Sequence, residues 1–145
     1  MNPEGNLILL RTTQRLAGEV APKLDNAFGQ SQIGLMGIML TFVAQEYERG
    51  AQIRVEENRD LRALFAEAKP HVSDPDLYAR LAFAAQSKDD SLLISELNKA
   101  NYSLRRLLIE LQTHVEEHSG SRVFDKQIWQ LLQRMANRRM VRLGG

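Results

Sequence analysis

The sequence predicts an all-α protein: a four- or five-helix antiparallel bundle with one long helix. Three observations predict it. Apolar residues recur at three- and four-residue spacing along nearly the whole chain, the mark of amphipathic helices. Sustained period-two alternation is missing, and no Asn-Gly or Asp-Gly hairpin turn occurs. The stretches between periodic segments are short, which makes sequence neighbours pack antiparallel.

The first helix is expected from about Asn6 to Val20, with Leu9, Leu10, Thr13, Leu16, Ala17 and Val20 on one stripe. Pro22 ends or kinks it, because proline lacks an N–H and biases its predecessor away from helix. After a loop around Asp25, Asn26 and Gly29, Ser31 serves as an N-cap for a helix ending before Pro70. Unbroken, that helix has about 38 residues and a length of roughly 57 Å. Its first half is apolar on nearly every side, and Gly50 is the expected place for a bend or break. Ser73, Asp74 and Pro75 start a short helix to about Gln86, with Leu77, Leu81, Ala84 and Ala85 inward. Asp89, Asp90 and Ser91 are expected to cap the next helix, whose seam runs Leu93, Leu97, Ala100, Leu104, Leu107 and Leu111. Ser119, Gly120 and Ser121 break it. A last helix runs from about Val123 to Leu143, with Phe124, Ile128, Leu131, Leu132 and Met135 inward.

Residues 1–145 therefore read as one soluble bundle domain, long enough to bury a core without staples. The formal net charge of +1 names no partner, and the 43% apolar and 26% charged residues argue against disorder. With no cysteine, disulfide frameworks, thiolate metal sites and cysteine nucleophiles are excluded, and a reducing cytoplasm fits. The N-terminus has no signal-peptide pattern. The longest charge-free run lies between Phe28 and Gln45, but its fully apolar part, Ile33 to Ala44 broken only by Thr41, is about 12 residues against the roughly 20 of a membrane span. The expectation is a buried helix and no span.

Four patterns bear on chemistry. His114-Val115-Glu116-Glu117-His118 matches the H-x-x-E-H string of inverzincin metallopeptidases, and Glu110 lies one turn before it, so Glu110, His114 and His118 share a helical face suited to a metal. The downstream acidic ligand of such peptidases is lacking, and histidines at a helix C-terminus also suit its dipole. Glu46, Glu48, Glu56, Glu57 and Asp60 raise a di-iron bundle, yet no Glu-x-x-His exists. Interleaved Arg49, Arg54, Arg59 and Arg62 instead suggest a solvated face of intrahelical ion pairs. Arg134, Arg138 and Arg142, with Arg139 beside them, line the last helix, where six basic residues face one acid from Arg122 onward. They suit an acidic protein or a phosphate-bearing ligand; no nucleic-acid motif accompanies them. Gly34, Gly37 and Thr41 mark a place where a second helix or a ligand can approach the backbone closely, at a cost of about 1 kcal/mol per glycine relative to alanine. No catalytic serine motif, phosphate loop or dinucleotide fingerprint is visible, so no cofactor is implied and the reading leans away from an enzyme.

The run Leu10-Arg11-Thr12-Thr13-Gln14-Arg15-Leu16, then Glu19-Val20-Ala21-Pro22-Lys23-Leu24, and Ala44-Gln45-Glu46-Tyr47-Glu48-Arg49 leading to Glu56-Glu57-Asn58 and Leu61, resembles a family of small uncharacterised bacterial helical proteins. Its members are encoded near acyl-CoA dehydrogenases and aminoglycoside-phosphotransferase-like kinases. The resemblance covers the first half of the chain. It implies a cytoplasmic accessory protein and supplies no catalytic residue. The leading functional expectation is a non-catalytic interaction module, homodimeric through Ile33 to Val43. The alternatives are a bundle binding an acyl or CoA-like ligand near Gly34 and Gly37, with Arg134 and Arg138 meeting its phosphates, and a metal-binding bundle using Glu110, His114 and His118.

Overall fold

The computed structural model describes residues 4–119 and 122–142, and among them every regular element is helical. The α-helices are α1 (Gly5–Arg15), α2 (Ala27–Glu67), α3 (Pro75–Gln86), α4 (Ile94–His114) and α5 (Arg122–Arg139). Wider π-turns extend α1 over Leu16–Val20 and α4 over Val115–Ser119, and short 3₁₀ turns lie at Ala21–Lys23 and Lys69–His71. The second 3₁₀ turn holds Pro70, which cannot continue α2.

Local chemistry explains most boundaries. Asn26 starts α2: its side-chain oxygen accepts the Gly29 N–H at 2.5 Å, so the cap is Asn26 and not Ser31. The helix then runs 41 residues and passes through Gly50 without a break. Asp74 caps α3 by accepting the Asp76 N–H at 2.9 Å, with Pro75 in the first turn, where a missing donor costs nothing. The α4 start differs from expectation. It begins at Ile94, with Leu93 at the cap position and no side-chain cap; Ser91 Oγ accepts the Leu93 N–H, and Asp89 accepts from Asn58 and Arg62. The expected break at Gly120 and Ser121, and Leu143 of the last helix, lie outside the described residues; α5 ends at Arg139.

The chain divides into two compact units, Met1–Gly50 with Val141–Gly145 and Ala51–Met140. In the second unit, four helical segments share a core. Leu61, Leu64 and Phe65 come from α2, Ala68 from just beyond its end, Leu77 and Leu81 from α3, and Leu104, Leu108 and Leu111 from α4. Val115 and, from α5, Phe124, Ile128, Leu131 and Met135 complete it. Each of these side chains larger than alanine, taken fully from water, contributes about 1.5–3 kcal/mol. Cross-links fix the directions. Arg80 bonds Glu110 and His114 meets Ser73, so α3 and α4 are antiparallel. Glu56 meets Arg138 and Asp60 meets both Arg138 and Arg134, so α5 runs opposite to α2. Arg54 meets Asn98 and Glu57 meets Asn101, so α4 runs with α2. That is up-down-up-down topology.

The α4 seam needs one correction. The buried positions are Leu97, Asn101, Leu104, Leu108 and Leu111, while Leu93 is exposed and Ala100 and Leu107 sit at the margin. Two seams with the same four-three rhythm share Leu97, Leu104 and Leu111. Hydrophobicity favours the one through Ala100 and Leu107; packing selects the one through Asn101 and Leu108.

Asn101 is therefore a polar residue inside the bundle, and it is fully met. Its amide nitrogen donates to Glu57 Oε2 at 3.1 Å and Asn58 Oδ1 at 3.0 Å. Arg139 grips Glu57 with two parallel bonds of 2.7 Å. Asn58 donates to Asp89, which also accepts from Arg62 at 2.7 Å. Glu57 and Asn58 are 0% exposed and Asn101 is 2% exposed. The expected solvated acidic face is thus, at Glu57, a buried cross-link among three helices.

Candidate functional site

The first unit is an antiparallel helical hairpin. The Thr13 methyl lies 3.4 Å from where a Gly37 Cβ would stand, and the Tyr47 ring lies 2.8 to 3.2 Å from the corresponding point on Gly5. Position 13 thus meets 37 and position 5 meets 47. At Gly5 an added Cβ would press on the Tyr47 ring, whereas at Gly37 it would come into ordinary contact with the Thr13 methyl. Gly34 differs: nothing lies within 4 Å of its missing Cβ. Thr41 turns its hydroxyl back to the Gly37 carbonyl at 2.9 Å. Gln45 holds the returning chain with two bonds, donating to Arg142 O at 2.7 Å and accepting from Arg142 N at 3.1 Å.

This hairpin leaves its apolar surface uncovered. No α1 residue is buried, and on α2 Leu35, Met36, Ile38, Met39, Phe42 and Val43 are 40 to 56% exposed. The expectation of a buried helix here is corrected: two helical layers cannot surround a helix that is apolar on every side. Among the described residues, α2 is one helix long and apolar enough by composition to cross a membrane, and only 6% of its most apolar 18-residue stretch is buried. A contiguous exposed apolar patch of this extent marks a contact surface.

No family model, curated protein or solved structure matches this chain. Its candidate residues are therefore placed by geometry alone.

Of the arginines expected to meet an acidic partner or phosphates, two are engaged by acids of α2 and two stay exposed. Arg138 pairs with Glu56 at 3.1 Å and Asp60 at 2.6 Å, and Arg139 with Glu57, which removes both as free anion contacts. Arg134 stays half-exposed at 3.9 Å from Asp60, and Arg142 is held by its backbone. Around Asp60, burial pushes the carboxyl up, but hydrogen bonds and charge from Arg138 and Arg59 outweigh it and hold it below its ordinary value.

The metal expectation is corrected. Among the described residues no group of three or more His, Cys, Asp or Glu is gathered to hold an ion. Glu110 is taken by Arg80 at 2.6 Å, a bond that raises the Arg80 guanidinium above its ordinary value. His114 Nε2 lies 3.1 Å from the Ser73 N–H and accepts it, while the His114 and His118 rings stack at 4.6 Å. The three side chains share a helical face but not a centre.

Proposed function

We propose that this protein is a non-catalytic helical interaction module that acts as a homodimer through its N-terminal hairpin. The single observation that carries the reading is the uncovered apolar face of α1 and the first half of α2. A second copy is the occupant that fits. Two hairpins laid face to face make four helices around a shared core, the arrangement the second unit reaches within one chain. The half-exposed side chains of Leu7, Leu35, Met36, Met39, Phe42 and Val43 offer on the order of several hundred Å² per chain, the scale of a stable interface. The open space at Gly34 allows a partner helix to approach the backbone. Against a lipid occupant stand Ser31 and Gln32, exposed polar side chains that hydrocarbon would leave poorly hydrogen-bonded.

Light scattering on a size-exclusion column tests this. The expected particle has twice the 16.5 kDa chain mass. Met39→Glu/Val43→Glu, at positions exposed in the single chain, is expected to yield folded monomer. A monomeric parent at high concentration refutes the proposal, and so does capture of the parent by phospholipid vesicles in preference to self-association. The resemblance to an accessory family, and a cytoplasmic setting, agree with this reading and belong to the same proposal.

A further inference from the structure

The second unit carries a groove whose chemistry the dimer reading does not use. Between α3 and α4 lies a pocket of about 500 Å³, within the ordinary range for a small-molecule site. Its floor is apolar, with Ala84, Leu104 and Leu107, and Phe83 stands at its wall with 81% of its surface exposed. The Arg80–Glu110 bridge marks one end. Lys88 follows the extended Ser87 that ends α3 and lines the same groove.

Four cations line this groove, Arg62, Arg80, Lys88 and Arg106, against one carboxylate, Glu110. Arg62 is matched by Asp89 and Arg80 by Glu110. Lys88 and Arg106 are exposed and make no ion pair with any carboxylate among the described residues. The groove therefore presents two uncompensated positive charges beside an apolar floor and a bare aromatic ring. A dianion satisfies the first feature, and a flat apolar body satisfies the second by stacking on Phe83 and covering Leu107. We infer that the α3–α4 groove binds an organic phosphate of nucleotide size, with its phosphate at Lys88 and Arg106 and its planar body against Phe83. The phosphate contacts expected of Arg134 and Arg138 from the sequence are thereby assigned to different cations, because Arg138 is occupied by Glu56 and Asp60. The hydroxyl of Ser103, on the α4 wall, supplies a neutral donor to the same ligand.

Isothermal titration of the full chain at low salt, with adenosine monophosphate as probe, tests the inference. Adenosine and inorganic phosphate serve as its two halves. The monophosphate is expected to bind at least about tenfold tighter than either half. Lys88→Ala/Arg106→Ala is expected to weaken it at least about tenfold, and Phe83→Ala to erase its advantage over inorganic phosphate. All three side chains are exposed, so thermal melts followed by circular dichroism should match the parent and report any loss of fold separately. No heat at about 5 mM ligand, or undiminished binding by the double variant, overturns the site. Inorganic phosphate binding as tightly as the monophosphate overturns the assigned ligand class.

Discussion

A carboxylate taken wholly out of water survives only if its charge and its lone pairs are met, and Glu57 meets both conditions. Arg139 supplies a bidentate partner and Asn101 a further donor. Removing Glu57 takes away the acceptor of two 2.7 Å bonds from Arg139 and one of the two acceptors of the Asn101 amide, so Glu57→Ala is expected to destabilise the protein by about 3 kcal/mol, measured as a lower urea midpoint. The estimate sits at the low end for broken buried pairs because Arg139 is partly exposed and can recover some hydration. Asp60 sets a pH dependence. Its folded-state value lies below the ordinary 3.8, so its contribution is complete above that value and is lost as the pH falls through the folded value. Urea midpoints recorded from about pH 5 down to pH 2 should therefore fall, and Asp60→Asn should flatten that part of the profile.

Helices are where sequence reasoning reads best, and α4 shows both its reach and its edge. The four-three rhythm located the helix and three of its five buried seam positions, Leu97, Leu104 and Leu111. It could not choose Asn101 over Ala100, because that choice depends on Glu57 and Asn58, some forty residues earlier. For the same reason the sequence places Glu57 among surface acids: its pairing with Arg139 is non-local, and nothing in the local charge pattern separates it from Glu56. Leu111, with no exposed surface, is the sharpest probe of the seam; Leu111→Ala should cost about 2–5 kcal/mol by thermal or chemical unfolding. On α2, the two central glycines should behave differently. Gly34→Ala enters open space and should stabilise the isolated hairpin by about 1 kcal/mol through helix propensity alone. Gly37→Leu must displace Thr13, and should lower the melting point.

At the scale of the whole molecule, a single 41-residue helix belongs to two units of unequal burial. Its second half carries Leu61, Leu64 and Phe65 into a core, while its first half buries little beyond Ala44. Hydrogen exchange on dilute protein should therefore give strong amide protection after Gly50 and weaker protection before it, and rising concentration should raise the latter if chains associate there. The all-helical architecture and the long helix were legible from periodicity and length. The division near Gly50 was not, because it depends on how many partners each half of the helix finds and not on its own pattern. The polar cluster around Asn101 has one more consequence. Leucine ladders are nearly self-similar, so sliding α4 by a turn past its neighbours would still put grease against grease. Such a slide would park an amide among methyl groups and strand a carboxylate, which makes the native alignment the cheapest by a wide margin. A chain with Glu57→Met, Asn101→Leu and Arg139→Met should give doubled or broadened amide resonances, the signature of a bundle that no longer knows its own phase.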